Sequence, residues 1–177
     1  MSLLDYNVFL IGFMGTGKST VASDMGDRYE LQSVEMDETI ASVEGKPISD
    51  IFAEYGEEYF RNLETSFLES MKEQKGKIVS CGGGVVLRDE NVQLMKTNGV
   101  IVLLTASPEE ILKRVANDEG RPLLRGRKNI SAITELMEKR RRRYEEAADI
   151  IVCTDSKTAS EISTEIMDEL KIRKERE

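Results

Sequence analysis

Eight residues, Gly12-Phe13-Met14-Gly15-Thr16-Gly17-Lys18-Ser19, constrain this chain more than any others. They match Gly-x-x-x-x-Gly-Lys-Ser in the setting that pattern needs. The apolar run Val8–Ile11 before them reads as a buried strand, and Val21, Met25 and Tyr29 after them recur at helical spacing. Strand, glycine-rich turn, Lys-Ser and helix together form a phosphate-binding loop. Glycines let the backbone curl until several N–H groups face one anion, and the helix N-terminus adds positive potential there. Lys18 then reaches the terminal phosphates, and the Ser19 hydroxyl is placed to ligate Mg²⁺. The alternative, a glycine turn that merely precedes Lys-Ser, is disfavoured by the flanking strand and helix. The stretch reads as a site for a nucleoside triphosphate.

Further apolar runs at Lys77–Ser80, Val100–Leu104 and Ile150–Cys153 alternate with helical patterns, and a shorter strand is expected near Ser33–Glu35. These runs are apolar throughout, as expected when helices cover both faces of a parallel sheet. Ser107-Pro108-Glu109-Glu110 is a helix start: a capping serine, proline at the first position and glutamate three residues after the cap. Ala159, Ile162, Ile166 and Leu170 stripe a last helix, followed by a charged tail, Lys171–Glu177, that reads as frayed. With no repeat, linker or low-complexity segment, residues 1–177 read as one α/β domain, long enough for a continuous core. Two segments depart from plain sheet-and-helix. Residues from about 37 to 74 form a mostly helical insertion. The polar stretch at about 117–130 carries Gly120, Gly126, Arg121, Arg125, Arg127 and Lys128, and reads either as a mobile lid or as an ordinary solvated loop.

Composition removes several classes of function. A net charge of −8 argues against general binding to nucleic acid or an anionic membrane. The absence of histidine excludes His-based triads, histidine bases and His-ligated zinc, so any metal is expected to be hard and oxygen-bound. Cys81 and Cys153 form no CxxC and read as two reduced, buried thiols. No apolar run approaches a membrane span and no signal peptide is evident, so the expectation is a cytoplasmic monomer. Phosphoryl transfer, which rests on positioning and charge neutralisation, suits this inventory.

Some charges fall where the pattern is apolar. Lys139-Arg140-Arg141-Arg142-Arg143 sweeps a whole helix circumference, and Arg140 falls on the stripe of Ile133, Met137, Tyr144 and Ala148. An inward guanidinium needs a partner, either a bound anion or an internal carboxylate. Arg61 and Glu64 lie beside Phe60, Leu63, Phe67 and Met71; spacing alone favours an i,i+3 surface pair over an arginine steered toward a substrate. Ser80-Cys81-Gly82-Gly83-Gly84 lets a ligand approach the backbone and its N–H donors closely. Many phosphate-loop proteins end this strand in an aspartate that helps hold Mg²⁺. Here the residue is Ser80, so Glu35 and Asp37 are the nearest carboxylates in topology, with a polar helix start as their other reading.

Together these elements resemble shikimate kinase, within the nucleoside monophosphate kinase-like group of P-loop proteins. The matching elements are Gly12–Ser19, Glu35-x-Asp37, Phe60-Arg61 with Glu64, Gly82-Gly83-Gly84, Arg121-Pro122-Leu123-Leu124, and Arg140 four residues before Tyr144. The resemblance implies a three-layer sandwich with a five-stranded parallel sheet of order 2-3-1-4-5. It implies ATP as co-substrate, Mg²⁺, and phosphorylation of the 3-hydroxyl of shikimate in chorismate and aromatic amino-acid biosynthesis. Asp37 then binds the shikimate hydroxyls and acts as general base. Arg61 and Arg140 grip the carboxylate, and the Gly82 and Gly83 backbone meets the ring. Gly15, Thr16, Gly17, Lys18, Ser19 and Thr20 hold ATP, Arg121 closes onto its phosphates, and Arg114 and Lys157 flank the adenine. Ser19 holds Mg²⁺ directly, with Glu35 and Ser80 acting through water. The family pattern has aspartate where Glu35 stands. Other readings are a kinase for gluconate or a nucleoside monophosphate, a GTPase-like switch, and a non-catalytic nucleotide-binding subunit. The switch requires a guanine-reading Asn-Lys-x-Asp, which the sequence lacks.

Overall fold

Apolar runs of four to seven residues, each followed by a helical period, fold here as strand–helix units. The computed structural model describes residues 4–116 and 129–176. In chain order these contain β1 (Asn7–Ile11), α1 (Lys18–Tyr29), β2 (Gln32–Glu35), α2 (Met36–Glu44), α3 (Ile48–Ser70), β3 (Lys77–Ser80), α4 (Asp89–Asn98), β4 (Gly99–Thr105), α5 (Pro108–Val115), α6 (Ile130–Ala147), β5 (Ile150–Cys153) and α7 (Ala159–Arg176). The five strands form one sheet of order β2-β3-β1-β4-β5, every neighbouring pair parallel. β1 is central, so the loop leaving it emerges mid-sheet between β3 and β4.

Alternate residues of the central strands feed two cores. Phe9, Ile11, Ile101 and Leu103 pack with Phe60 and Phe67 of α3, Met95 of α4, Ile111 of α5 and Ile133 of α6. Val8, Leu10, Val102 and Leu104 pack with Val21 and Met25 of α1 and with Ile166 and Leu170 of α7. Each fully buried side chain of this size contributes roughly 1.5–3 kcal/mol, so both layers are firmly held. The helix start at Ser107 forms as expected, its hydroxyl accepting from the Glu110 N–H at 3.3 Å.

The sheet edges depart from the continuous apolar pattern. β5 alternates: Ile150 and Val152 face the α7 core, whereas Ile151 is 56% exposed and Cys153 is also exposed. It is an edge strand, with a paired neighbour, β4, on one side only. Cys153 opens on a cavity of about 390 Å³ that Leu103 and Met137 also line. Cys153 is therefore not the buried thiol expected, while Cys81 is buried and its pKa is driven up by desolvation. β2, the other edge, is likewise only partly covered. The charged tail does not fray after Leu170: residues 171–176 continue α7, as their strong helix formers allow.

The expected insertion is α2 and α3. Within α3, Gly56 has a φ of 81° and interrupts the helix, so the half bearing Arg61 and Glu64 runs in its own direction. Of the segment read as a lid, residues 117–128 lie outside those described; Asn129 caps α6, its side chain accepting from the Ala132 N–H at 2.9 Å. Among the described residues no helix is long and apolar enough to cross a membrane.

Candidate active site

The loop after β1 is shaped by three glycines with positive φ: Gly12 at 146°, Gly15 at 78° and Gly17 at 92°. At Gly12 a side chain would overlap the Leu104 carbonyl, so close backbone approach as well as φ requires glycine there. Thr16 closes the turn, its hydroxyl donating to the Phe13 carbonyl at 2.8 Å. Lys18 opens α1 and bends back over the loop, donating to the Gly12 and Phe13 carbonyls at 2.9 and 3.1 Å. An ammonium group held against a ring of backbone is in position for a polyphosphate. Thr20 follows on the exposed first turn. Arg114 of α5 spans the far side, donating to the Gly15 carbonyl at 3.0 Å and the Thr154 hydroxyl at 3.2 Å. Lys157 lies in the turn after β5 and pairs with Glu165 of α7 at 2.6 Å. Arg121 lies outside the described residues.

Next to Lys18, three oxygen groups converge. The Ser19 hydroxyl donates to Glu35 at 2.9 Å and lies 3.3 Å from the Ser80 hydroxyl. Glu35 ends β2 and Ser80 ends β3, so strand register brings both to the loop. Burial raises the Glu35 pKa against the opposing hydrogen bonds from Ser19 and Ser80. Among the described residues no group of three or more acidic or cysteine side chains forms a self-sufficient metal site. One carboxylate and two hydroxyls instead fit a hard ion held largely by phosphate and water, as Mg²⁺ prefers.

The second half of the site is built on Gly82–Gly84, directly after β3. A Cβ at Gly83 would stand 3.8 Å from the Gly12 carbonyl, so the two loops adjoin. A Cβ at Gly82 would crowd Glu64 Oε1 at 2.8 Å and Asp37 Oδ1 at 2.9 Å, and one at Gly84 would overlap the Arg61 guanidinium. A Cβ at Gly83 would lie 3.6 Å from Arg140 Nη1. Asp37, Arg61, Glu64 and Arg140 therefore surround one bare stretch of backbone. Elements distant in sequence supply them: the first turn of α2, the latter half of α3, and α6.

The charges within this cluster are not equivalent. Arg61 and Glu64, expected as a surface pair, are buried at 8% and 0% exposure and 2.7 Å apart. The stripe beside them packs against the sheet, which carries the pair inward. Burial works against the charge on Arg61, but Glu64 and Glu57 outweigh it and its pKa is raised. Burial also pushes up the Glu64 carboxyl, despite Arg61. Glu64 Oε1 is buried with no hydrogen-bond partner among the described residues.

The basic run on α6 resolves residue by residue. Lys139 pairs with Glu135, Arg141 with Glu138 and Arg142 with Glu146, all exposed. Arg143 turns to the Val86 carbonyl and Asp89. Arg140 is half-buried, not fully buried as its place on the stripe suggested, with its guanidinium beside Gly83. Its charge works against the rise that burial gives the Tyr144 phenol pKa, and among the described residues it makes no ion pair with a carboxylate. A half-buried guanidinium that lacks a counter-charge favours an anionic ligand.

Sequence reasoning did not foresee the hydroxyl of Tyr144 or the clamp made by Arg143. Tyr144 donates to the Gly83 carbonyl at 2.5 Å, and Arg143 reaches Val86 at 2.8 Å. Both partners are backbone carbonyls, which leave no mark in the sequence.

Comparison with known proteins adds a family to this geometry. Residues 14–171 match the sequence model of the family described as shikimate kinase. A shikimate kinase of Sulfurihydrogenibium sp. (strain YO3AOP1) is 41% identical over 94% of this chain and 99% of its own length. Among solved structures, a shikimate kinase from Acinetobacter baumannii in complex with shikimate superposes with a TM-score of 0.91 at 28% identity, covering 98% of this chain and 96% of that one. The shikimate kinase of Aquifex aeolicus gives a TM-score of 0.80 at 35% identity over 93% and 96% of the two chains.

Proposed function

The chain belongs to the shikimate kinase family, and from that premise we propose that it transfers the γ-phosphoryl group of ATP to the 3-hydroxyl of shikimate, on the route to chorismate and the aromatic amino acids. The observation that carries this reading is the guanidinium of Arg140, lacking a carboxylate partner among the described residues and set beside Gly83 next to the phosphate loop. Shikimate offers the two groups the site can use, a carboxylate for arginine and vicinal hydroxyls for a neighbouring acid.

In this reading the backbone of Gly15, Thr16 and Gly17 with Lys18, Ser19 and Thr20 binds the phosphates. Arg114 and Lys157 border the adenine side, and Arg121 is assigned to the phosphates by resemblance alone. Arg61 and Arg140 bind the carboxylate, and the Gly82 and Gly83 N–H groups lie along the ring. Asp37 accepts the proton of the attacking hydroxyl or orients it, and Lys18 balances the charge that develops on the transferring group. Ser19 would hold Mg²⁺ directly, with Glu35 and Ser80 through water; the ion would offset negative charge on the phosphates. Residues 1–177 act as one catalytic unit, with the acceptor carried by the insertion at about 37–74.

Coupled ADP release with shikimate, gluconate and a nucleoside monophosphate as acceptors tests this. ADP formation that depends on shikimate and on neither other acceptor is expected. A response to gluconate or the nucleotide without one to shikimate rejects the reading.

A further inference from the structure

The phosphate loop is tied to the β5 edge of the sheet through an arginine. α5 packs directly on the loop: a Cβ added at Gly15 would stand 3.0 Å from Val115 Cγ1 and 3.5 Å from Ile111 Cγ2. From the last turn of that helix, Arg114 Nη1 donates to the Gly15 carbonyl at 3.0 Å and to the Thr154 hydroxyl at 3.2 Å. Its Nε donates to Glu110, one turn back, at 3.1 Å. Thr154 follows β5 and is fully buried, and its hydroxyl donates to the carbonyl of Thr105, the last residue of β4, at 2.9 Å. The Thr154 N–H reaches the same carbonyl at 2.8 Å. A hydroxyl has one proton to give and lone pairs to accept with. With that proton committed to β4, the Thr154 oxygen faces Arg114 as an acceptor, and the fold sets the direction of the bond.

We propose that Thr154 is a positioning residue for the nucleotide site, its hydroxyl holding the Arg114 guanidinium against the Gly15 carbonyl before a nucleotide arrives. The proposal rests on the reading of Arg114 as a residue of the nucleotide side. An arginine free to rotate loses much of its rotamer freedom when it meets a ligand. A hydrogen bond already made in the empty site removes part of that loss from the binding step. The contact acts on the loop as well, because holding the Gly15 carbonyl fixes the plane of the Gly15–Thr16 peptide. Thr154→Val keeps the shape of the side chain and removes the acceptor. The Thr105 carbonyl is not orphaned by that change, since the backbone N–H at 154 still bonds it.

Calorimetric Kd values for ADP test the assignment without depending on any acceptor. They are measured on Thr154→Val, Thr154→Ala, Thr154→Ser and Arg114→Ala, and on Thr154→Val combined with Arg114→Ala. The Kd rises about threefold to tenfold in the valine and alanine variants, the scale of one net hydrogen bond, and stays within about twofold of native in Thr154→Ser, which keeps the hydroxyl. In the Arg114→Ala background Thr154→Val adds less than it does alone, because the two groups act together. KM for shikimate at saturating ATP stays unchanged in Thr154→Val. Unchanged ADP binding in Thr154→Val, full multiplicativity with Arg114→Ala, or an equal rise in the shikimate KM overturns the proposal. So does a loss that Thr154→Ser shares in full, which assigns the effect to packing of the methyl group. If Arg114→Ala weakens ADP binding and Thr154→Val does not, only this proposal fails. If Arg114→Ala leaves ADP binding unchanged, the nucleotide-side reading of Arg114 fails with it.

Discussion

The two ends of the proposed site, the loop after β1 for phosphate and the glycine loop after β3 for the acceptor, are built by opposite means. At the proposed phosphate end, one contiguous stretch is shaped by backbone dihedrals, with three positive-φ glycines and a lysine folded over them. At the acceptor end, four charged side chains from separate elements converge on a glycine loop whose value is the room it leaves. The first design is local and tolerates a varied exterior. The second depends on packing, since α2, α3 and α6 must each dock correctly before the charges meet. The difference also governs how each end holds charge when empty. Lys18 rests on carbonyl groups and Arg61 is held by Glu57 and Glu64, whereas Arg140 makes no ion pair with a carboxylate among the described residues.

Lys18→Ala should break the phosphate end outright, lowering turnover by at least about 100-fold in a coupled ADP assay, since a group aimed at developing charge is lost. Activity near the native rate would remove Lys18 from the chemistry.

A paired glycine experiment sharpens the contrast. Gly84→Ala drives a methyl into the Arg61 guanidinium, and a shift of that size raises the shikimate KM about 10- to 100-fold while sparing ATP. Among the described residues no atom beyond the chain neighbours lies within 4 Å of a Cβ added at Gly17, so Gly17→Ala acts there through its φ of 92°. Strain of roughly 1–3 kcal/mol at the phosphate loop should raise the ATP KM instead. Equal effects of both variants on both substrates would dissolve the division between the two ends.

The smallest effect concerns the buried carboxyl. Because burial raises the Glu64 pKa, the folded state holds its proton more tightly than the unfolded chain does. Its contribution to stability is then fully present below the ordinary glutamate value near 4.5 and is lost as pH rises through the raised value. The Tm difference between Glu64→Gln and the native protein, measured at fixed salt from pH 4 to 7, should move in favour of the variant as pH rises. Movement the other way would mean that Arg61 outweighs burial at this site.

These contrasts explain what could be read from the chain in advance. The strand runs and the phosphate loop follow from patterns confined to a dozen consecutive residues, whereas the strand order came only with the family resemblance, and the observed sheet has that order. Arg140 was legible as an anomaly, a cation on an apolar stripe, though its partial exposure was not. The inward turn of Arg61 and Glu64 was not legible from spacing, because an i,i+3 pair looks the same on either face of a helix. Cys153 misled because an edge strand carries the same apolar letters as a central one, and only its neighbours decide what is covered. The Tyr144 and Arg143 contacts end on carbonyl groups, whose positions no residue name encodes.

Steady-state KM values of Arg61→Ala and Arg140→Ala for both substrates test the central claim most directly, that a carboxylate grip faces the phosphate loop across one cleft. Removing a guanidinium from a charged pair should raise the shikimate KM by on the order of 100-fold while leaving the ATP KM within about twofold. Parallel rises in both constants, or a rise for ATP alone, would contradict it.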